Sequence, residues 1–101
     1  MAFKKSAEIS WFAPICDGDD DFLGNRNPLY KSSWENTCKI VQTADKLGFK
    51  NVLCPSSFQV GQDSLSFVAA MTNQTKDINF LPAIRCGEIH PPMLARTIAT
   101  I

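Results

Sequence analysis

The chain has 101 residues, 45% hydrophobic and 20% charged, so it is at most one domain with a globular rather than disordered composition. Its ten basic and ten acidic residues cancel, which excludes an electrostatic footprint for nucleic acid or an anionic membrane. No run approaches the ~20 apolar residues of a transmembrane helix.

The first residues, "MAFKKSAEISWFAPIC", carry two lysines followed by a polar stretch, which is no signal-peptide core. Cys16, Cys38, Cys54 and Cys86 stand far apart without a C-x-x-C pair, arguing against a zinc site or thioredoxin-like chemistry. A cytoplasmic protein with reduced thiols is expected.

In chain order, "EISWFAP" (8–14) is rich in β-branched and aromatic residues and ends at Pro14, which predicts a first strand. The polar segment 15–31 follows, with Gly18, Gly24, Asn25 and Pro28 as turn formers. Ser32 and Glu35 match the capping box S-x-x-E and open a helix, whose apolar stripe is Trp34, Cys38, Val41, Ala44 and Leu47. Gly48 suits the left-handed position just past its end.

The short apolar run "NVLCP" (51–55) is typical of a parallel strand covered on both faces. After the loop "SSFQVGQ", Asp63 or Ser64 can cap a second helix through 65–72. "DINFLPAIR" (77–85) predicts a third strand, with a bulge or a local edge at Pro82. His90-Pro91-Pro92 opens a third helix, whose stripe Met93, Leu94, Thr97, Ile98 and Ile101 must be buried against something. That stripe reaches the last residue, so a third helix cut off with its apolar face unanswered is expected.

Strands alternating with amphipathic helices imply right-handed crossovers and a parallel α/β sheet. Two folds fit: an open doubly wound sheet, or the first three β-α units of a (β/α)8 barrel. Both place function at the carboxyl ends of the strands, in the loops 14–31, 55–62 and 86–91.

Within those loops, Asp17, Asp19, Asp20 and Asp21 form an acidic run. A calcium loop starting there would have Phe22 where Gly is needed and Pro28 where Glu is needed. A receiver-type phospho-acceptor pocket would need an Asp after the third strand, where Arg85-Cys86-Gly87 stands instead. The plainer reading is a solvated loop. Cys16 and Cys54 read most simply as small buried hydrophobes, and Trp11 and Trp34 as core. His90 is the only histidine, so no Cys/His pair is available. Arg85, at the end of a buried strand, suits either an anion or an internal carboxylate.

The blocks "ISWFAPICDGDDDFLGN", "IVQTADKLGFKNVLCPSS", "QDSLSFVAAMT" and "INFLPAIRCGEIHPPMLARTIATI" occur in order and resemble the opening of bacterial alkanesulfonate monooxygenases. These belong to the luciferase-like flavin monooxygenases, which are (β/α)8 TIM barrels. The resemblance runs from Glu8 to Ile101 and implies a truncated barrel, with 1–101 as an N-terminal fragment of that domain.

It also implies chemistry. An NAD(P)H-dependent flavin reductase supplies reduced FMN, which with O2 oxygenates a small organic substrate; an alkanesulfonate would yield aldehyde and sulfite. By position, Pro55, Ser56, Ser57 and Arg85 are expected on the cofactor side, and Cys16, Trp11 and Cys86 on the substrate side. No metal ligand is expected, and the catalytic residues would come from later strands. A homo-oligomer is expected of the complete enzyme. Alone, the 101 residues are expected to be marginally stable and inert. The alternatives are a doubly wound binding module or a partial barrel that assembles with another chain. One position departs from the family pattern: Gly61 stands where sulfonate enzymes carry a cysteine before the second helix.

Overall fold

The structure, a computed structural model, describes residues 6–18, 27–57 and 61–101. Six elements alternate along it: β1 (Ser10–Phe12), α1 (Trp34–Lys46), β2 (Asn51–Cys54), α2 (Ser64–Met71), β3 (Asn79–Pro82) and α3 (Pro91–Thr100). The strands are shorter than the apolar runs that mark them, because pairing stops where the chain turns into the loops that follow.

The three strands form one parallel sheet in the order β1-β2-β3. Trp11 pairs with Val52, and Val52 with Phe80; one residue on, Phe12, Leu53 and Leu81 align. Side chains alternate along a strand, so these two rows point to opposite faces. The Val52 face carries the core. Val41 and Ala44 of α1 join Phe67, Val68 and Met71 of α2 around Val52, Cys54, Ala13, Ile15 and Ile78. Ile15, Met71, Val41 and Val52 are fully buried, each contributing roughly 1.5–3 kcal/mol by removal from water. On the opposite face Leu53 and Leu81 remain 40% and 46% exposed.

Both helices thus cover one face of a sheet whose strands follow in sequence order. A doubly wound sheet reverses its strand order and carries helices on both faces. The receiver-type order, with β1 between β2 and β3, is excluded, since β2 is the central strand here. Strands in sequence order with both helices on one face agree with the arc made by successive units of a (β/α)8 barrel, whose helices lie outside and whose bare sheet face lies inside.

Several local expectations are corrected. The N-cap of α1 is Ser33, whose hydroxyl accepts from Asn36 N at 3.3 Å; Ser32 has other partners, described below. The buried positions of α1 are Thr37, Val41 and Ala44, whereas Leu47 is 72% exposed just past the last turn. Trp34 is half exposed and meets Phe67 edge-on. At Pro82 the ladder runs through without a bulge, and the other expectation, a local edge, holds because β3 is the outer strand of the described sheet. Ala83 N donates to Cys54 O at 2.8 Å, so the neighbouring Pro82 nitrogen points away from β2 and no bond to β2 is lost.

Other signals agree. Asp63 caps α2 through Ser66 N, Gly48 takes φ +83° after α1, and Pro91 opens α3. No residue of α3 is buried. Among the described residues, no helix is long and apolar enough to cross a membrane.

Candidate functional site

The loops leaving the carboxyl ends of the three strands converge. After β2, Pro55 O accepts from Ser64 Oγ, which ties the loop to the first turn of α2. After β3, the Arg85 guanidinium donates through Nη2 to Ser56 O at 3.2 Å. Its Nε lies 3.8 Å from Glu88 Oε1, and Arg85 N donates to the same carboxylate at 3.3 Å. Arg85 is therefore held by a carbonyl and a carboxylate, so of its two readings the internal carboxylate partner is the one this geometry shows.

Two openings flank this junction. Ser56, Ser57, Gln62, Asp63, Ser64, Glu88 and Ile89 surround a polar cleft of about 280 Å3. On the α3 side, Arg85 and Cys86 line a more apolar cavity of about 430 Å3 with Ile84, Ile89 and Leu94. Ile89 borders both.

The loop after β1 is buried from Ala13 to Gly18, which is unusual because a buried loop must satisfy its own polar backbone. Ser32 Oγ donates to Pro14 O at 3.0 Å, and Gln62 N donates to Ile15 O at 2.8 Å. Gln62 Nε2 in turn donates to Ser32 Oγ at 2.8 Å and Thr37 Oγ1 at 3.1 Å. The Asp17 carboxylate accepts Ser32 N at 2.8 Å and faces Lys31 Nζ at 3.4 Å. Cys16 lies opposite Gly61 in an isolated antiparallel bridge.

The structure therefore brings Pro55, Ser56, Ser57 and Arg85 together, with Cys86 beside them. Cys16 lies in the adjoining loop. Trp11 is elsewhere: its register with Val52 puts it on the helix-covered face, where it meets Phe49 edge-on at 5.1 Å. The ring lines an outer groove with Ile40 and Leu47, so it is neither core nor close to the loops. Of the acidic run, Asp17 is engaged as described, and Asp19, Asp20 and Asp21 lie outside the described residues. Among the described residues, no three His, Cys, Asp or Glu side chains are grouped to hold a metal ion.

Sequence reasoning missed Ser32, Thr37 and Gln62. A lone glutamine in a loop carries no spacing signal, and Ser32 was absorbed by the helix-cap motif. Burial pushes the Cys54 thiol up to about 12, which makes it a packing residue rather than a nucleophile.

Comparison with known proteins places this geometry. The sequence profile of the family described as luciferase-like monooxygenase matches residues 8–101. A sulfoquinovose monooxygenase of Agrobacterium fabrum is 54% identical over 95% of this chain and 25% of its own length. Another, from Novosphingobium aromaticivorans, is 45% identical over 97% of this chain and 27% of its own. The chain thus spans about a quarter of these relatives.

Proposed function

The chain belongs to the luciferase-like monooxygenase family, and on that premise we propose that it supplies the first three β/α units of a two-component flavin monooxygenase that desulfonates an organosulfonate. In this reading residues 1–101 are the N-terminal part of one barrel domain. The observation that carries it is the 54% identity over 95% of the chain to a sulfoquinovose monooxygenase. A sulfonated sugar of that kind is the first candidate substrate, and a plain alkanesulfonate the second.

The residues present fit one wall of an FMN cavity. Ser56, Ser57 and the Arg85 guanidinium form a polar rim at the strand ends, and Leu53 and Leu81 give the sheet face below an apolar character. Bound there, reduced FMN from an NAD(P)H-dependent reductase would supply two electrons for O2 chemistry. Arg85 carries positive charge to a rim that must receive an anionic substrate, and its bonds to Ser56 O and Glu88 hold it in place. Cys16 and Cys86 occupy the substrate side, and the buried loop 13–18 helps exclude water. Trp11 reaches that side only through the strand it stands on.

In the net reaction the C–S bond breaks and sulfur leaves as sulfite. One oxygen atom of O2 becomes the carbonyl of the product and the other becomes water. The complete enzyme is read as a cytoplasmic homo-oligomer.

The test is reconstitution of the whole protein that carries this segment with FMN, a flavin reductase and NADH under air. Sulfite release is compared for sulfoquinovose, a linear alkanesulfonate and a non-sulfonated analogue. The proposal expects sulfite from the sulfonated sugar at the highest kcat/KM. Sulfite from neither sulfonate would overturn it.

A further inference from the structure

We infer that Gly61 and Gln62 are positioning residues that set how closely the loop after β1 stands against the loop after β2, and thereby the fit of the substrate. The inference rests on the monooxygenase reading, with Cys16 on the substrate side.

A Cβ at position 61 would meet Ile15 O at 2.6 Å, Cys16 Cα at 3.1 Å and Asp17 N at 3.3 Å. All three are backbone atoms, so no side chain can rotate away; any residue larger than glycine must push the 15–17 segment outward. The next residue then locks the approach. Gln62 contributes its main-chain N–H to Ile15 O and its amide to Ser32 Oγ and Thr37 Oγ1, while Ser32 Oγ passes the link to Pro14 O. One residue thus joins three parts: its main chain bonds the β1 loop directly, and its side chain bonds Ser32 and Thr37 at the start of α1.

The same short segment faces the site. Gln62 lines the 280 Å3 cleft with Ser56 and Ser57, and Gly61 sits against Cys16. Neither residue needs to touch the reacting atoms. Both determine where the wall that carries Cys16 stands, by steric contact at 61 and by hydrogen bonding at 62.

The experiment uses the whole protein, wild type and with Gly61→Ala or Ser32→Ala. Ser32→Ala removes the relay to Pro14 without adding atoms, so it guards against an alanine at 61 that fails to fold. In both variants KM for the sulfonate should rise about tenfold or more, while kcat stays within about threefold and the Kd for reduced FMN within about twofold. Amide hydrogen exchange at 15–17 should quicken about tenfold, with α2 unchanged. Unchanged KM and unchanged exchange in Ser32→Ala would overturn the inference, as would equal losses in KM, kcat and flavin affinity. If the wild-type protein releases no sulfite, the functional reading fails, and the exchange measurement alone then decides whether the two residues hold the loop.

Discussion

Arg85 Nη2 donates to the main-chain carbonyl of Ser56 at 3.2 Å, so the loop after β3 is tied to the loop after β2. The same guanidinium lies 3.8 Å from Glu88 Oε1 through Nε, so its charge is also paired with a carboxylate of its own loop. Replacing Arg85 with methionine keeps most of the side-chain length and removes the charge and the fork. Without its tie to Ser56 O and Glu88 the β3 loop loses its anchor on the β2 loop, and binding of an anionic substrate should weaken roughly tenfold. Titration of the whole protein with the sulfonate checks this, and a lysine at 85 should restore only part of the affinity.

Asp45, in the last turn of α1, accepts Lys76 N at 2.8 Å, Asp77 N at 3.0 Å and Ile78 N at 2.9 Å, and so fixes the turn that leads into β3. Partial burial raises its carboxyl pKa, but the three N–H groups and the charge of Lys76 outweigh that, and the net position is below the usual carboxylate value. A lowered folded value means the stabilisation is fully present above the unfolded pKa of about 3.9 and is lost as pH falls through the folded value. Asp45→Ala should cost about 1–2 kcal/mol at pH 7. In urea titrations that difference should shrink as pH falls through the lowered folded value.

Ile15 lies in a loop yet is fully buried in the core cluster. Ile15→Ala should destabilise by about 2–5 kcal/mol, as a core truncation does, rather than by the few tenths expected at a surface loop. The urea midpoint reads the difference.

Cys54 is buried, with its thiol pushed up to about 12, whereas Cys86 is exposed. Alkylation of the whole protein at pH ~8.5 should label Cys86 well before Cys54, which stays unlabelled until urea unfolds the core. Mass spectrometry of the peptides distinguishes them.

How far the sequence could be read depended on whether a signal was local. The caps at Asp63 and Pro91 and the left-handed Gly48 each follow from one residue and its neighbours, and each agrees with the structure. The choice between a doubly wound sheet and a barrel arc did not, because both share the β-α-β-α-β-α order and differ only in strand placement. Ser32 was misplaced by one step for a physical reason. Two adjacent serines could cap α1, and the structure spends the first on Pro14 O and Gln62, leaving Ser33 as the cap. Trp11, core on the simplest reading of the sequence, stands on a strand at the edge of the described sheet, so the ring is covered on one side only. Pro55, Ser56 and Ser57 enter through the family resemblance and Arg85 through its place after a strand, and the structure brings the two loops together through Arg85 Nη2 and Ser56 O. Gln62 was not legible, since its role depends on partners 25 and 30 residues away.

The proposed desulfonation by a flavin monooxygenase ties each C–S bond broken to one O2 consumed. Its most direct test is the ratio of sulfite released to O2 consumed by the whole protein with reduced FMN and sulfoquinovose. The account predicts one sulfite and one carbonyl product for each O2 used productively, with no sulfite when either reduced flavin or O2 is withheld. Oxygen consumption that proceeds without sulfite, whichever sulfonate is present, would contradict it.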